Sequence, residues 1–183
     1  AQSTDRSAPP KDVVVNSFVL QPVKDADDEW DCMMKVNKAI SYLSMNGGGP
    51  VHLDLTTRFS MDFLVEQIPV VRNIQRIDAE GIFPPLLKGR VAIFIGSFHK
   101  WSPQLIVAID IFCATHNAVV LCDHTSGYQG KYRILSALYA AQEKYSHELL
   151  QVDLLIHMGE ISGDYYTIGA LHPKEVWRVN EDG

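Results

Sequence analysis

Three loops and one pair of strand residues carry the side chains of this sequence that could do chemistry. The loops are Gly96-Ser97-Phe98-His99-Lys100, the stretch from Asp123 to Gly130, and Gly159-Glu160-Ile161-Ser162-Gly163. Each follows an apolar run, and glycine with hydroxyl and backbone N–H groups at such a place can cradle a phosphate. None of the three reads Gly-x-Gly-x-x-Gly or a Walker loop, so the same glycines also fit a plain turn from strand into helix. His124, beside Asp123, suits either a ligand contact or a satisfied turn. His52 and Asp54 alternate along one strand face, as two metal ligands or a hydrogen-bonded structural pair would. No third ligand follows at useful spacing, and no metal site is assigned. Cys113 lies on an apolar helical stripe, where a thiol packs as a small apolar group rather than attacking as a nucleophile. Tyr165 and Tyr166 fit a pocket lining or packing against a sheet.

The elements that must position these residues follow from periodicity. Val13 to Leu20 reads as a strand, and Trp30, Met33, Val36, Ile40 and Leu43 recur at helical spacing behind the acidic start Asp27-Asp28. Asn46-Gly47-Gly48-Gly49 stops that helix, and Pro50 leads into the alternating strand Val51 to Leu55. Residues 58–73 read as a linker, followed by a short strand near Ile74 to Ile77 and a proline-bearing helix near Pro84 to Lys88. Val91 to Ile95 is continuously apolar, the mark of a parallel strand buried on both faces. Ser102-Pro103 opens a helix that ends at His116-Asn117. Ala118 to Cys122 is the next strand, Arg133 to Glu143 a further helix, Val152 to His157 a strand, then a short helix and a last strand from Val176 to Val179. Strands alternating with helices predict an α/β fold, a doubly wound parallel sheet. In such sheets ligands lie beyond the carboxyl ends of the strands, where all three loops fall.

Composition narrows the partners. A length of 183 residues suits one domain plus an attached piece. The net charge of −6 argues against nucleic acid and anionic membrane surfaces and favours a neutral or small-molecule ligand. No apolar stretch approaches a membrane span, and the first ten residues carry no basic-then-apolar export pattern. With three cysteines and no Cys-x-x-Cys spacing, the expectation is a soluble protein of the reducing cytoplasm.

The order of pieces resembles a known family. A helix opened by Trp30 and running into Gly48-Gly49-Pro50-Val51-His52-Leu53-Asp54-Leu55, then a linker and a doubly wound domain, is similar to the end of the pyrimidine-binding domain and the central domain of thiamine diphosphate-dependent enzymes. The Gly-Gly-Pro-Val-His form is most like the 2-succinyl-5-enolpyruvyl-6-hydroxy-3-cyclohexene-1-carboxylate synthases of menaquinone biosynthesis. Val119 to Gly127 and Asp153 to Glu160 look like strands of their central domain, and the resemblance covers most of residues 12 to 183. It implies that residues 1–57 end a pyrimidine-binding domain and residues 74–183 form the central α/β domain. It also implies a noncatalytic fragment of a 2-oxo acid decarboxylase or carboligase. The family's activating glutamate has no counterpart here, and Gly163-Asp164-Tyr165 does not match its Gly-Asp-Gly metal and diphosphate motif. Thiamine diphosphate and Mg would then be bound by the full-length parent and not by this chain alone. The implied partners are the parent's remaining domains and further copies in a dimer or tetramer.

Two sets of site residues are expected, the first from loop position beyond the strand ends and the second from the resemblance. Gly96, Ser97, His124, Thr125, Gly159 and Glu160 are expected to face a cofactor. Ser162, Gly163, Asp164 and Tyr165 are expected to face substrate, with an acid and an aromatic where the menaquinone enzymes carry a Lys-Arg pair that meets carboxylates. Some related oxidases and synthases hold FAD or ADP in the corresponding domain, so a nucleotide-binding module is the alternative. A self-contained NAD-type enzyme of sirtuin-like or deoxyhypusine-synthase-like fold is a third reading, and the missing glycine fingerprint argues against it.

Overall fold

The computed structural model describes residues 9–57, 66–67, 70–86, 88–98, 100–140, 151–160 and 165–180. They form two compact units, Ala1–Ile82 and Phe83–Gly183.

The first unit is a β-α-β crossover. Strands β1 (Asn16–Leu20) and β2 (Val51–Leu55) pair in parallel, Asn16 opposite Val51 and Leu20 opposite Leu55. Helix α1 (Ala26–Tyr42) connects them. It begins where expected because the Asp25 carboxylate accepts from the N–H groups of Asp27 and Asp28 at 3.1 and 2.9 Å, and Asp27, Asp28 and Glu29 place negative charge at the positive end of the helix. A 3-10 turn at Met45–Gly47 ends it, with Gly48 at φ +71. A Cβ on Gly48 would collide with the Leu43 carbonyl, so only glycine makes this reversal. Among the described apolar side chains here, Leu20 and Ala39 are buried, while Trp30, Ile40, Leu43 and Leu55 are exposed by half or more.

The expected strand over Ile74–Ile77 is absent; the structure has irregular chain there. Asn37 holds that segment to α1 instead, its Nδ2 donating to the Arg72 carbonyl at 2.9 Å and its Oδ1 accepting from the Ile74 N–H at 2.8 Å. The helix expected over Pro84–Lys88 is not helical at its described residues 84–86 and 88. Two successive prolines supply no N–H donors, and each disfavours helical geometry in the residue before it.

The second unit is a five-stranded sheet in the order β5-β4-β3-β6-β7, parallel throughout. Its strands are β3 (Val91–Ile95), β4 (Val119–Cys122), β5 (Arg133–Leu135), β6 (Gln151–Met158) and β7 (His172–Val179). Helix α2 (Pro103–His116) joins β3 to β4, and the short helices α3 (Ala137–Ala140) and α4 (Tyr165–Ala170) come later. All five residues of β3 are buried, and they divide by parity. Val91, Ile93 and Ile95 pack with Ile109 and Cys113 of α2, whereas Ala92 and Phe94 pack on the other face with Leu155 and Leu171. A layer on each face is the doubly wound α/β arrangement the sequence predicts.

The start of α2 is as expected, with the Ser102 hydroxyl accepting from the Leu105 N–H at 3.1 Å and Pro103 in the first turn. The helix expected from Arg133 to Glu143 is corrected. Arg133–Leu135 is an edge strand on Val120–Cys122, helix begins only at Ala137, and residues 141–150 lie outside the described residues. Ladder pairing with β4 decides this, although the three residues are themselves exposed. No described helix is long and apolar enough to cross a membrane.

Candidate functional site

The order of the sheet sets a switch at β3, with β4 on one side and β6 on the other. The crevice beyond the ends of β3 and β6 is where a doubly wound sheet receives ligands. Four of the residues expected to face a cofactor meet there. The Ser97 N–H donates to the Glu160 carbonyl at 2.8 Å and the Glu160 N–H to the Ser97 carbonyl at 2.9 Å, while Gly96 N–H reaches the Met158 carbonyl at 3.0 Å. Cβ atoms on Gly96 and on Gly159 (φ +73) would collide with the carbonyls of Glu160 and Ser97. These glycines therefore admit a neighbouring backbone. The N–H groups that would cradle a phosphate at Gly96 and Ser97 are already engaged, so a pyrophosphate does not fit on this turn as it stands.

Thr125 and His124 sit on the neighbouring loop, beyond β4. Asp123 is buried, and its Oδ1 accepts from the Thr125 N–H at 2.7 Å and the Thr125 hydroxyl at 2.8 Å. Its Oδ2 is also buried and meets no hydrogen-bond partner. Trp101 seals the loop, its Nε1 donating to the Ser126 carbonyl at 2.6 Å and its ring lying 5.3 Å from that of Tyr128. Tyr128 is buried, and its hydroxyl donates to Asp110 at 2.6 Å. His124 is exposed. Ser162, Gly163 and Asp164, expected to face substrate, lie outside the described residues, as does the side chain of Tyr165, the first residue of α4.

Glu160 also belongs to a polar cluster with His157 and Arg178, which the sequence reading did not single out. Register places His157 opposite Arg178, and Arg178 Nη1 lies 2.9 Å from His157 Nδ1. Arg178 also donates to the Gly159 carbonyl at 3.2 Å and faces the Glu160 carboxylate at 3.6 Å. Burial, followed by the Arg178 charge, pulls His157 down to about 4, so at neutral pH its ring is uncharged and accepts from the guanidinium. The signal lay in two strands 21 residues apart, visible only once their register is known.

The remaining candidates resolve separately. His52 meets Ser17 across the β1–β2 pair, Nδ1 to Oγ 3.0 Å, rather than Asp54. Among the described residues no three His, Cys, Asp or Glu side chains gather to hold a metal ion. Cys113 is fully buried in the core, and burial with the nearby Asp110 charge pushes its thiol up to about 11. Burial also raises Cys122. Neither is a thiolate nucleophile at neutral pH.

No family model matches the chain. It is similar to a 2-succinyl-5-enolpyruvyl-6-hydroxy-3-cyclohexene-1-carboxylate synthase of Bacteroides thetaiotaomicron, with 24% identity over 190 aligned positions. The match takes in 93% of this chain and 33% of that protein. This is a distant, partial relationship. The chain spans about a third of the length of the curated relative it matches, and that relative carries the name of the synthases its junction resembles.

Proposed function

We propose that this chain is the junction and central α/β region of a thiamine diphosphate-dependent 2-oxo acid decarboxylase or carboligase. In this reading it supplies a wall and a framework rather than the reacting groups. The observation that carries the proposal is the order of its pieces. A parallel β-α-β unit ends on the Gly-Pro-Val-His-Leu-Asp-Leu strand, and a separate parallel sheet in doubly wound order follows. The same stretch aligns with one third of a synthase. The thinly covered first unit supports it too, since a parallel pair normally has further strands and helices on its edges and faces.

The cofactor would be held by other parts of the parent enzyme, because Gly163-Asp164-Tyr165 does not match the Gly-Asp-Gly motif of the enzymes the sequence resembles. Thiamine diphosphate would supply the carbanion chemistry on the 2-oxo acid. The Gly96-Ser97 and Gly159-Glu160 clasp would fix the end of the central domain against that site, and Ser162 to Tyr165 would be the stretch facing substrate. A chimera of the Bacteroides synthase in which this chain replaces the aligned third tests the reading. The expected result is a folded chimera that binds thiamine diphosphate with Mg and releases carbon dioxide from a 2-oxo acid. A chimera that melts cooperatively yet binds no cofactor would contradict it.

A second reading, a module for FAD or ADP, draws support from Asp123. It stands at the end of the strand next to the switch, where dinucleotide-binding sheets place an acid for a ribose hydroxyl, and its Oδ2 is unpartnered. The engaged N–H groups at Gly96 and Ser97 weigh against it. Calorimetric titration of the 183-residue chain with FAD, ADP and NAD separates the two, and tight binding of FAD or ADP would favour the module.

A further inference from the structure

The guanidinium of Arg178 is braced without being neutralised. Arg178 is the penultimate residue of β7, at the carboxyl ends of the strands, the end at which doubly wound sheets receive ligands. Register sets it opposite His157, whose ring is fixed edge-on against Phe94 with centroids 5.2 Å apart. Nη1 donates to the ring Nδ1 at 2.9 Å and Nη2 to the Gly159 carbonyl at 3.2 Å. Both acceptors are uncharged at neutral pH, since burial keeps the imidazole in its neutral form. The carboxylate paired with Arg178, that of Glu160, stops 3.6 Å from Nη2, well beyond the roughly 2.8 Å of a charge-assisted hydrogen bond. Glu160 is 70% exposed, and its Oε1 accepts from Asn180 Nδ2 at 3.4 Å. The Arg178 side chain is itself 40% exposed, so the N–H donors not engaged by His157 and Gly159 are open to a solute.

We propose that Arg178 is a binding residue for the carboxylate of a small organic acid, with His157 as the residue that positions it and Glu160 as the internal carboxylate that the ligand displaces. The flat fork of a guanidinium matches the two oxygens of a carboxylate. A histidine suits position 157 for the same reason. An acid there would cancel the charge that a ligand meets, and an apolar residue would leave the fork without a brace. The charge balance favours a carboxylate over a phosphate. One guanidinium beside the Glu160 carboxylate suits a single negative charge, whereas a doubly charged ligand would be repelled by Glu160. That the acid is a 2-oxo acid rests on the function proposed above; the anion site does not.

NMR titration of the 183-residue chain at constant ionic strength tests this, with pyruvate, methyl pyruvate and inorganic phosphate as probes and the Arg178 Nε–H and His157 ring signals as readout. Pyruvate should shift both, saturating with a Kd of about 1 mM or weaker, and uncharged methyl pyruvate should shift neither. Arg178→Gln should abolish pyruvate binding, and Arg178→Lys, which keeps the charge and loses the fork, should weaken it about tenfold. Glu160→Gln, at an exposed position, should tighten it about threefold by removing the competing carboxylate, and it keeps the test open should Arg178→Gln fail to fold. His157→Leu should weaken binding about fivefold, and His157→Gln, which keeps a neutral acceptor, should restore most of it. A guanidinium that only fastens β7 to β6 would give no pyruvate shift in the native chain or in Glu160→Gln, and that result overturns the proposal. So does tighter binding of phosphate than of pyruvate, weaker binding of pyruvate by Glu160→Gln, or equal binding by the two His157 variants. The enzyme reading fails separately. Pyruvate binding to this chain beside a chimera that holds no cofactor would keep the site and reject the enzyme, whereas an active chimera whose KM for the 2-oxo acid is unchanged by Arg178→Gln would do the reverse.

Discussion

The chain builds the same local device twice, a parallel strand, a helix and a second parallel strand, and the two copies end in different physical states. In β3-α2-β4 the first strand is buried along its whole length, because β4 and β6 flank it and a layer packs on each face. In β1-α1-β2 each strand has one described neighbour, and Leu53, Leu55, Trp30 and Ile40 stay exposed. Local signals are no weaker in the first unit; its helix has the better cap and the more acidic first turn. What differs is coverage, and coverage rather than propensity provides most of the stability of such elements.

Truncation of matched aromatics breaks the comparison most sharply. Phe94→Ala, at a fully buried position of β3, is expected to cost about 3–5 kcal/mol in urea unfolding. Phe18→Ala, at a half-buried position of β1, should cost less than half as much. A similar loss at both would contradict the difference in coverage between the two strands.

Two glycines with positive φ sharpen the contrast at the level of the backbone. Gly47 (φ +92) has open space around its missing Cβ, so Gly47→Ala should cost only the conformational strain, about 1–2 kcal/mol. Gly159→Ala adds a collision with the Ser97 carbonyl and should cost distinctly more, with loss of amide protection at Ser97 and Glu160.

The pH dependence should also belong to the second unit. His157 sits at about 4 in the folded chain against 6.5 ordinarily. Between these values the unfolded chain binds a proton that the native one refuses, so stability is full above 6.5 and is lost as pH falls toward 4. His157→Gln should flatten that slope in urea midpoints measured across the window. The smallest effect is expected on α1, where Asp31→Asn removes the exposed 2.6 Å pair with Lys35 at a cost of about 0.5 kcal/mol or less.

Elements with strong local signals were legible in the sequence. The Gly-Pro entry to β2, the Ser102-Pro103 start of α2 and the unbroken apolar run of β3 each carry their own physical cause. The edge strands of the second sheet were legible only in part, β5 being read as helix and β7 only from Val176 onward. β5 is three exposed residues held by β4, and β7 begins four residues before Val176 at His172 and takes in Pro173, which an edge can tolerate. The irregular backbone at 84–86 and 88 follows from Pro84 and Pro85, a local signal that the apolar residues beside it masked. At the site, Gly96, Ser97, Gly159 and Glu160 were identifiable one at a time as turn residues. That they bond to one another was not, since the contact spans more than sixty residues and depends on β3 lying beside β6.

The most direct test of the account is native-state hydrogen exchange on the 183-residue chain, read by residue in β2 and β3. If the second unit is self-supporting and the first is a partial layer, amides of Ile93 to Ile95 should exchange only through global unfolding, and those of Leu53 to Leu55 orders of magnitude faster through local opening. Equal protection of the two strands would contradict it, and would mean that β1 and β2 already have the cover they need.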